Sequence, residues 1–345
     1  MGRGQGGREQ EEEGAARRVC FLFGPFIYLL SIPVLCALAS TIAVGADPLL
    51  AVGKDPASSD DALPGERLRT IMVRQYTLSG RIRLLFWFGR DNVGMARLVW
   101  RRDDRGARGY ELLVGTDPGR APRSLNRWGY IAEDVLGADG ALLAMMTGAD
   151  EVSYDEAEAS TTRTSSTGDF RAIRARVHDG TATWQVATVE TPRAFTIHDV
   201  GAALARVRRD TATTTPRSRH VPARARPGFL VAVADLVDEV VAAGRGRTTA
   251  DELKRLSVEY VFGQRTYELR VRDLRPDLIQ LGGRRTPVVH ASFEIRTPVT
   301  NARTRFEITC GTDGGLAGVP VAMEWQPRWW LKVELRLDDS DPASQ

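Results

Sequence analysis

The stretch "FRAIRARVHDGTATWQVATVE", residues 170–190, carries the pattern that decides the fold. Apolar and polar side chains alternate on both sides of Asp179 and Gly180, a pair that tolerates the positive φ angles of a tight turn. A period of two is typical of β-strands with one buried face. The stretch therefore predicts a two-stranded antiparallel hairpin.

The same period governs the end of the chain, "EWQPRWWLKVELRL", residues 324–337. The predicted inward set is Trp329, Leu331, Val333, Leu335 and Leu337, and the outward set is Trp330, Lys332, Glu334, Arg336 and Asp338. This alternation indicates an antiparallel strand with one solvent-facing side. Trp329 heads the buried face. Trp330 heads the other, where local packing, stacking on Arg328 and contact with a ligand all stay open.

Further strands are predicted by alternating stretches elsewhere in the chain. Residues 81–88 form one, and two more flank a polar turn at residues 103–109. In the C-terminal part, one apolar face comprises Val289, Ala291, Phe293 and Ile295, and another comprises Phe306, Ile308 and Cys310.

Helical spacing appears in a few places. Leu125, Trp128, Ile131, Ala132, Val135 and Leu136 predict a helix that ends at Gly137. Residues 141–146 predict a second short helix, and Asp199 is the predicted cap of a third that runs through Val207.

The strongest helix signal follows Pro227, which suits a first helical turn. Its apolar stripe comprises Leu230, Val233, Leu236, Val237, Val240 and Val241, and Gly244 marks its end. Thr249 and Glu252 have the spacing of a capping box for one more short helix.

These elements predict an α+β fold, mainly antiparallel β, with two curved β-rich halves and a helical segment between them. The predicted units are a signal peptide or membrane anchor (1–46), a spacer (47–66), a β-rich domain with short helices (67–209), a basic linker (210–227), a helical segment (228–256), an antiparallel β domain (257–338) and a tail (339–345).

The N-terminal region predicts export. Residues 19–46 contain no charged side chain, and they follow Arg17 and Arg18, which favour a cytoplasmic N-terminus. Small residues before Asp47 fit a cleavage site, whereas the length of the run also fits a retained anchor. Both readings place the rest of the chain outside the cytoplasm, in the periplasm or at the cell surface, with membrane contact only through this segment.

Composition sets further bounds. The 345 residues are 43% hydrophobic and 26% charged, as in a globular protein that buries a core. Nearly all basic residues are arginine, and the net charge of +3 is far below that of a typical nucleic-acid binder. We therefore expect no nucleic-acid partner. After cleavage only Cys310 remains, so no internal disulfide is expected.

No catalytic motif emerges from the residues that usually carry chemistry. His178, His198, His220 and His290 lack metal-ligand spacing, so neither a metal nor another cofactor is predicted. Cys310 could act as a nucleophile with His290 as base, but its apolar neighbours favour a small buried side chain. Glu133 and Asp134 are adjacent and so form a poor acid–base pair. Whether the protein is an enzyme stays open, with a non-enzymatic role favoured.

Two loops and one aromatic residue complete the candidate ligand contacts. Arg90, Asp91 and Asn92 lie between glycines in "FGRDNVG", residues 88–94, which indicates either a polar ligand loop or a tight turn or bulge. In residues 115–130, Arg120, Arg123 and Arg127 either bind an anion at a helix start or belong to a solvated loop. Trp128, on the predicted helix, is a further candidate contact.

Residues 255–338 resemble exported, β-rich bacterial domains of unknown function, of the type that looks like the half-barrel of periplasmic lipoprotein carriers. The resemblance lies in "LSVEYVFGQRTYELRVRDL", "VVHASFEIRT" and "RFEITCGTDGGLAGVPVAMEWQPRWWLKVEL". It implies a concave sheet that holds an apolar ligand. The leading hypothesis is an exported module that binds an apolar or amphipathic ligand or an envelope protein. The alternatives are an envelope hydrolase that uses carboxylates and a structural or assembly scaffold.

Overall fold

The computed structural model describes residues 63–64, 66, 68–83, 87–147, 169–191, 194–210, 214–246, 249–253, 255–263, 265–297, 302–328 and 331–338. The N-terminal segment with the predicted export signal lies outside these residues, and so do Trp329 and Trp330.

Fourteen strands make up most of the described chain. They are β1 (Arg69–Arg83), β2 (Trp87–Arg102), β3 (Arg108–Thr116), β4 (Trp128–Leu136), β5 (Asp139–Thr147), β6 (Phe170–His178), β7 (Thr181–Val189), β8 (Arg217–His220), β9 (Ser257–Phe262), β10 (Arg265–Leu281), β11 (Arg284–Arg296), β12 (Arg303–Gly311), β13 (Pro320–Arg328) and β14 (Leu331–Leu337). Three α-helices accompany them: α1 (Val200–Asp210), α2 (Phe229–Gly244) and α3 (Ala250–Leu253).

All fourteen strands belong to one antiparallel sheet in the order β8-β7-β6-β5-β4-β3-β2-β1-β14-β13-β12-β11-β10-β9. Strands that follow each other in the chain pair with each other, except β8 and β9, which form the two ends of the sheet. In addition β1 pairs with β14, from Tyr76 opposite Leu337 to Ile82 opposite Leu331. The predicted class, α+β with mainly antiparallel β-structure, is confirmed. The two predicted halves share this one sheet through its central pair.

The two edges of the sheet meet through the segment that follows β8. The Arg226 N–H donates to the Glu259 carbonyl (2.7 Å), and the Val261 N–H donates to the Arg226 carbonyl (2.8 Å). Nearby, Arg219 Nη2 donates to Thr266 Oγ1 at 2.9 Å. The predicted basic linker therefore contributes β8. Its Arg226 also supplies backbone hydrogen bonds to the edge of β9, whose N–H and C=O groups would otherwise lack partners.

Helix α2 lies on the concave face of this closed sheet. Its sequence is apolar on nearly every side, which is typical of a helix that is buried all round. Residues of β4–β7 pack against one side of it and residues of β9–β12 against another, in one continuous core. Pro227 precedes the helix instead of starting its first turn, and Gly228 is the N-cap.

A buried carboxylate fixes the N-terminus of α2. Glu133 on β4 accepts hydrogen bonds from the N–H groups of Phe229 (2.8 Å) and Val231 (3.0 Å), which would otherwise lack partners inside the core. A Cβ at position 228 would lie 2.2 Å from a carboxylate oxygen of Glu133, so only glycine fits there. Glu133 thus acts as a cap supplied by the sheet.

The helices predicted at residues 125–136 and 141–146 are wrong, because residues 128–136 form β4 and residues 141–146 belong to β5. Trp128, Tyr130 and Ala132 pack beneath α1 on the convex face, while Ile131 and Glu133 face α2. Since both faces of these strands are buried, the period of two disappears from the hydrophobic pattern. Large apolar residues then recur by chance at helical spacing.

Several local predictions are confirmed. Asp179 (φ 47°) and Gly180 (φ 68°) form the turn between β6 and β7. Thr249 and Glu252 exchange the hydrogen bonds of a capping box at α3. Asp199 has a different place from the predicted one: Thr196 is the N-cap, and Asp199 completes its capping box three residues later, just before α1.

Many of the arginines form ion pairs with glutamates on the convex face of the sheet. Three buried glutamates each lie between two arginines: Glu111 with Arg97 and Arg101, Glu294 with Arg270 and Arg305, and Glu334 with Arg81 and Arg336. Burial opposes ionisation of Glu294, but the hydrogen bonds from Arg270 and Arg305 outweigh it and hold its pKa below the ordinary value. The outward row of β14 is thus partly covered by arginine side chains.

Candidate ligand cavity

A partly open cavity of about 290 Å³ lies between α2 and strands β2, β3, β12, β13 and β14. Its volume is near the lower limit of small-molecule sites, which range over roughly 300–1,000 Å³. The face of α2 that borders it carries Leu230, Val233, Ala234 and Val237. These residues recur at helical spacing and are short, so they leave space between the helix and the sheet.

Strands β2 and β3 provide one wall as a row of directly opposed side chains. The three pairs are Leu98–Leu112, Trp100–Tyr110 and Arg102–Arg108. Because side chains alternate along a strand, all six lie on the same face. The wall therefore changes along the hairpin from aliphatic to aromatic to cationic, and the arginine pair lies next to the turn.

The opposite wall is apolar and aromatic. It comprises Phe306 and Ile308 of β12, Met323 and Trp325 of β13, and Val333 and Leu335 of β14. Phe306 is fixed by stacking on Phe293, with ring centroids 5.2 Å apart. The indole N–H of Trp325 is buried without a hydrogen-bond partner among the described residues, so a ligand acceptor would satisfy it.

Charged groups concentrate at the arginine end of the cavity. Arg108 Nη1 lies 3.0 Å from Asp235 Oδ1, and Arg226 Nε lies 2.7 Å from the other oxygen of the same carboxylate. Burial, together with the negative charge of Asp235, raises the pKa of the Asp238 carboxyl. Burial also raises the pKa of the Tyr110 phenol. The side chain of Arg102 makes no hydrogen bond or ion pair with the rest of the described chain, although its positive charge lowers the pKa of Asp238.

The candidate residues Arg90, Asp91 and Asn92 lie in an exposed bulge of β2, away from the cavity. The register between β1 and β2 shifts here, and Asn92 adopts a φ of 54°. Asn92 Oδ1 accepts a hydrogen bond from Arg120 Nη1 at 2.8 Å. This segment is therefore a bulge, which is one of the two predicted interpretations. Residues 122–124, near the predicted helix start, form only a short 3-10 turn.

Trp128 lies on the convex face of β4, on the opposite side of the sheet from the cavity. Its indole N–H donates to the Phe195 carbonyl at 2.8 Å, and its ring packs on Phe170. Arg328 is the last residue of β13, and Trp330 is outside the described residues. Among the candidates whose side chains are described, Trp128 therefore lies on the face of the sheet opposite the cavity, and the bulge with Arg90, Asp91 and Asn92 also lies away from the cavity.

The residues weighed for catalysis are also separate. Cys310 is fully buried beside α2, and burial raises the pKa of its thiol to about 12. Its candidate base, His290, belongs to the other face of the sheet, where it contacts Asp277 and Thr309. The interpretation of Cys310 as a small buried side chain is confirmed.

The only His and carboxylate cluster of metal-binding dimensions in the described part of the chain is Asp139, His178 and Asp179. It lies exposed at the β6–β7 turn, where hydrogen bonding to Asp139 raises the pKa of His178. Ion pairing between the imidazole and the two carboxylates accounts for this arrangement without a ligand.

None of the candidate contact residues predicted from the sequence, where their side chains are described, is among the residues that line the cavity. Leu98, Trp100 and Arg102, with their partners across the turn, show a period of two that predicts their shared face. Nothing local in the sequence indicates that α2 and β12–β14 lie opposite this face.

Helices long and apolar enough to cross a bilayer are not found among the described residues. The fold and the cavity define a mainly antiparallel β-protein with one internal helix and a ligand-sized space beside it. The sequence matches no protein family and no curated protein. One similar solved structure is a beta-barrel-like protein of the domain of unknown function DUF1849 from Brucella abortus. It is 8% identical, and the match covers 78% of this chain and 98% of that one, with a TM-score of 0.39.

Proposed function

We propose that this protein binds a small apolar or amphipathic molecule in the cavity beside α2. The observation that carries the proposal is the cavity itself, whose walls present half-buried side chains such as Trp100, Leu112, Phe306 and Met323. Apolar surface that faces an open interior space gains free energy when an apolar ligand removes it from water.

The cavity is held open by contacts at both ends of α2. Glu133 binds the N-terminal N–H groups, and Arg245, just beyond the C-terminus, donates through Nε to the Thr312 carbonyl at 2.5 Å. Gly244 also packs closely on β11, where even a Cβ would lie 3.2 Å from Val289. A helix fixed in this way cannot move against β2 and β3 to fill the space, so the site is preformed, as ligand pockets usually are.

An apolar fluorescent probe tests the proposal. N-phenyl-1-naphthylamine is expected to bind the full chain with a rise in fluorescence. Ala234→Trp, which puts a large ring into the cavity, is expected to weaken binding by more than about tenfold. Val73→Trp is the matched control, because Val73 is 40% exposed on the convex face of β1. Equal binding by both variants would place the probe elsewhere and contradict the proposal.

We propose in addition that binding takes place outside the cytoplasm, in the periplasm or at the cell surface. The uncharged run at residues 19–46 supports this location. A reporter enzyme that works only outside the cytoplasm, fused after residue 60, is expected to be active. A reporter that works only inside is expected to be silent at the same position, and its full activity would refute export.

A further inference from the structure

We propose that the ligand of this cavity is a single-chain amphiphile with an anionic carboxylate or phosphate head group, which lies between Arg102 and Arg108. This inference rests on the proposed function and specifies the ligand class.

The order of side chains along the β2–β3 wall matches such a molecule. Leu98 and Leu112 suit a hydrocarbon tail, and Trp100 and Tyr110 form an aromatic belt above them. Arg102 and Arg108 then mark the end of the cavity next to the turn, where Arg102 is exposed and Arg108 half-buried. A tail in the apolar part places its head group at the arginines without burying an unpaired charge.

Arg102 is the arginine at the head-group position that makes no ion pair within the described chain. Asp235 is shared between Arg108 and Arg226, and Asp238 of α2 also borders the cavity. The charge of Arg102 lowers the pKa of Asp238, while the neighbouring Glu239 raises it, but no carboxylate is bonded directly to Arg102 in the described part of the chain. A guanidinium offers a planar pair of donors that fits carboxylate and phosphate oxygens.

The other acidic residues that border the cavity do not oppose this arrangement. Glu307 and Glu324 lie opposite each other on β12 and β13, in the row that continues to Glu334. Phe306 and Trp325 face the cavity, so by alternation this row points outward. Glu324 is also neutralised by Lys332, with Nζ 2.5 Å from Oε2.

Head-group preference is the test. Dodecanoate, dodecyl phosphate, dodecanol and dodecyltrimethylammonium are titrated into the full chain below their micellar concentrations, with heat as the readout. We expect the two anions to bind about 5- to 10-fold more tightly than dodecanol, and the cation to bind most weakly. The two anions also show whether carboxylate or phosphate is preferred. The advantage of the anions should shrink at high salt, because exposed charges are screened.

Substitutions at two arginines test whether the head group binds next to Arg102. Arg102→Gln is expected to reduce dodecanoate binding to the level of dodecanol, while dodecanol binding stays unchanged. Arg102→Lys should retain part of the preference. Arg105→Gln removes an exposed arginine from the turn of the same hairpin and should change nothing.

The outcomes separate the two proposals. Equal binding of all four compounds, or a preference for the cation, overturns the anionic head group and leaves the cavity function standing. An equal loss of preference in Arg102→Gln and Arg105→Gln overturns the placement of the head group. Absence of binding by every compound overturns the cavity function itself.

Discussion

Replacing Glu133 with alanine is expected to lower the free energy of unfolding by about 3–5 kcal/mol at pH 5, which is a large share of the stability of a typical domain. The two N–H groups of α2 that bond to Glu133 are buried and would lose their partner. Each unsatisfied buried donor costs about 1–3 kcal/mol, and the deleted side chain leaves a cavity in addition.

Urea denaturation of the variant beside the wild type measures this effect. Glu239→Ala is the control, because Glu239 is an exposed glutamate on the same helix and its loss should cost under about 0.5 kcal/mol. Equal destabilisation by the two substitutions would show that the contact between β4 and α2 contributes nothing.

The pH dependence of the same variant gives a second readout. Burial raises the pKa of Glu133 from 4.5 to about 7, although hydrogen bonds from the backbone of α2 lower it. Between these two values the folded state holds a proton that the unfolded state has released, so the stability from this group is present at pH 5 and is lost as the pH rises through 7. One pKa unit corresponds to about 1.4 kcal/mol, so wild-type stability should fall by about 2–3 kcal/mol more than that of Glu133→Ala between pH 5 and pH 8. Parallel pH profiles would mean that Glu133 is already ionised in the folded protein at pH 5.

The sequence was sufficient to predict elements whose pattern is set by one buried face. In β14, Leu331, Val333 and Leu337 are buried, as their alternation predicts. Such a pattern is local, because a strand that meets the core on one side repeats its apolar residues with a period of two. Helix α2, which spans Phe229–Gly244, is apolar on nearly every side, but its ends were also predictable because Pro227 precedes it and Gly244 is its last residue.

In a strand that is buried on both faces, apolar and polar residues no longer alternate, so the sequence does not indicate a strand. Strand β4 is covered by α1 on one face and by α2 on the other, so its sequence does not alternate. The closure of the sheet is harder still to predict, since it depends on the pairing of Arg226 with Tyr260 and of β1 with β14. Such contacts join distant parts of the chain, and no sequence period encodes them.

The residues that line the cavity could not be predicted from the sequence for the same reason. Its walls come from residues 98–114, 229–238 and 306–335, which meet only after the sheet has closed around α2. The candidate contacts chosen from sequence were conspicuous polar or aromatic residues, and Trp128 among them is core. Residues that line a cavity look like core residues in a sequence, because they are mostly apolar and differ only in lacking a neighbour.

Trp128→Ala is the second substitution with a large expected effect. It tests the core on the convex face of β4, whose burial removes the alternation that would have predicted a strand. The side chain is 2% exposed and packs on Phe170 beneath α1, with ring centroids 5.5 Å apart. Truncation of a buried tryptophan costs about 3–5 kcal/mol through lost burial and the cavity that remains. Trp128→Phe keeps an aromatic ring but removes one of the two hydrogen bonds to the Phe195 carbonyl, which still accepts from Asn126 Nδ2 at 2.9 Å, so we expect it to cost about 1–2 kcal/mol.

Both variants are measured by urea denaturation, with Leu136→Ala as the control on the same strand. Leu136 is 56% exposed, so its truncation should cost under about 0.5 kcal/mol. Because Trp128 and the cavity lie on opposite faces of the sheet, Trp128→Phe should bind N-phenyl-1-naphthylamine as the wild type does. A loss of probe binding in a folded Trp128→Phe variant would mean that the convex core and the cavity are coupled. A cost for Trp128→Ala close to that of Leu136→Ala would show that α1 does not cover β4, and the double burial that explains the missing alternation would then be wrong.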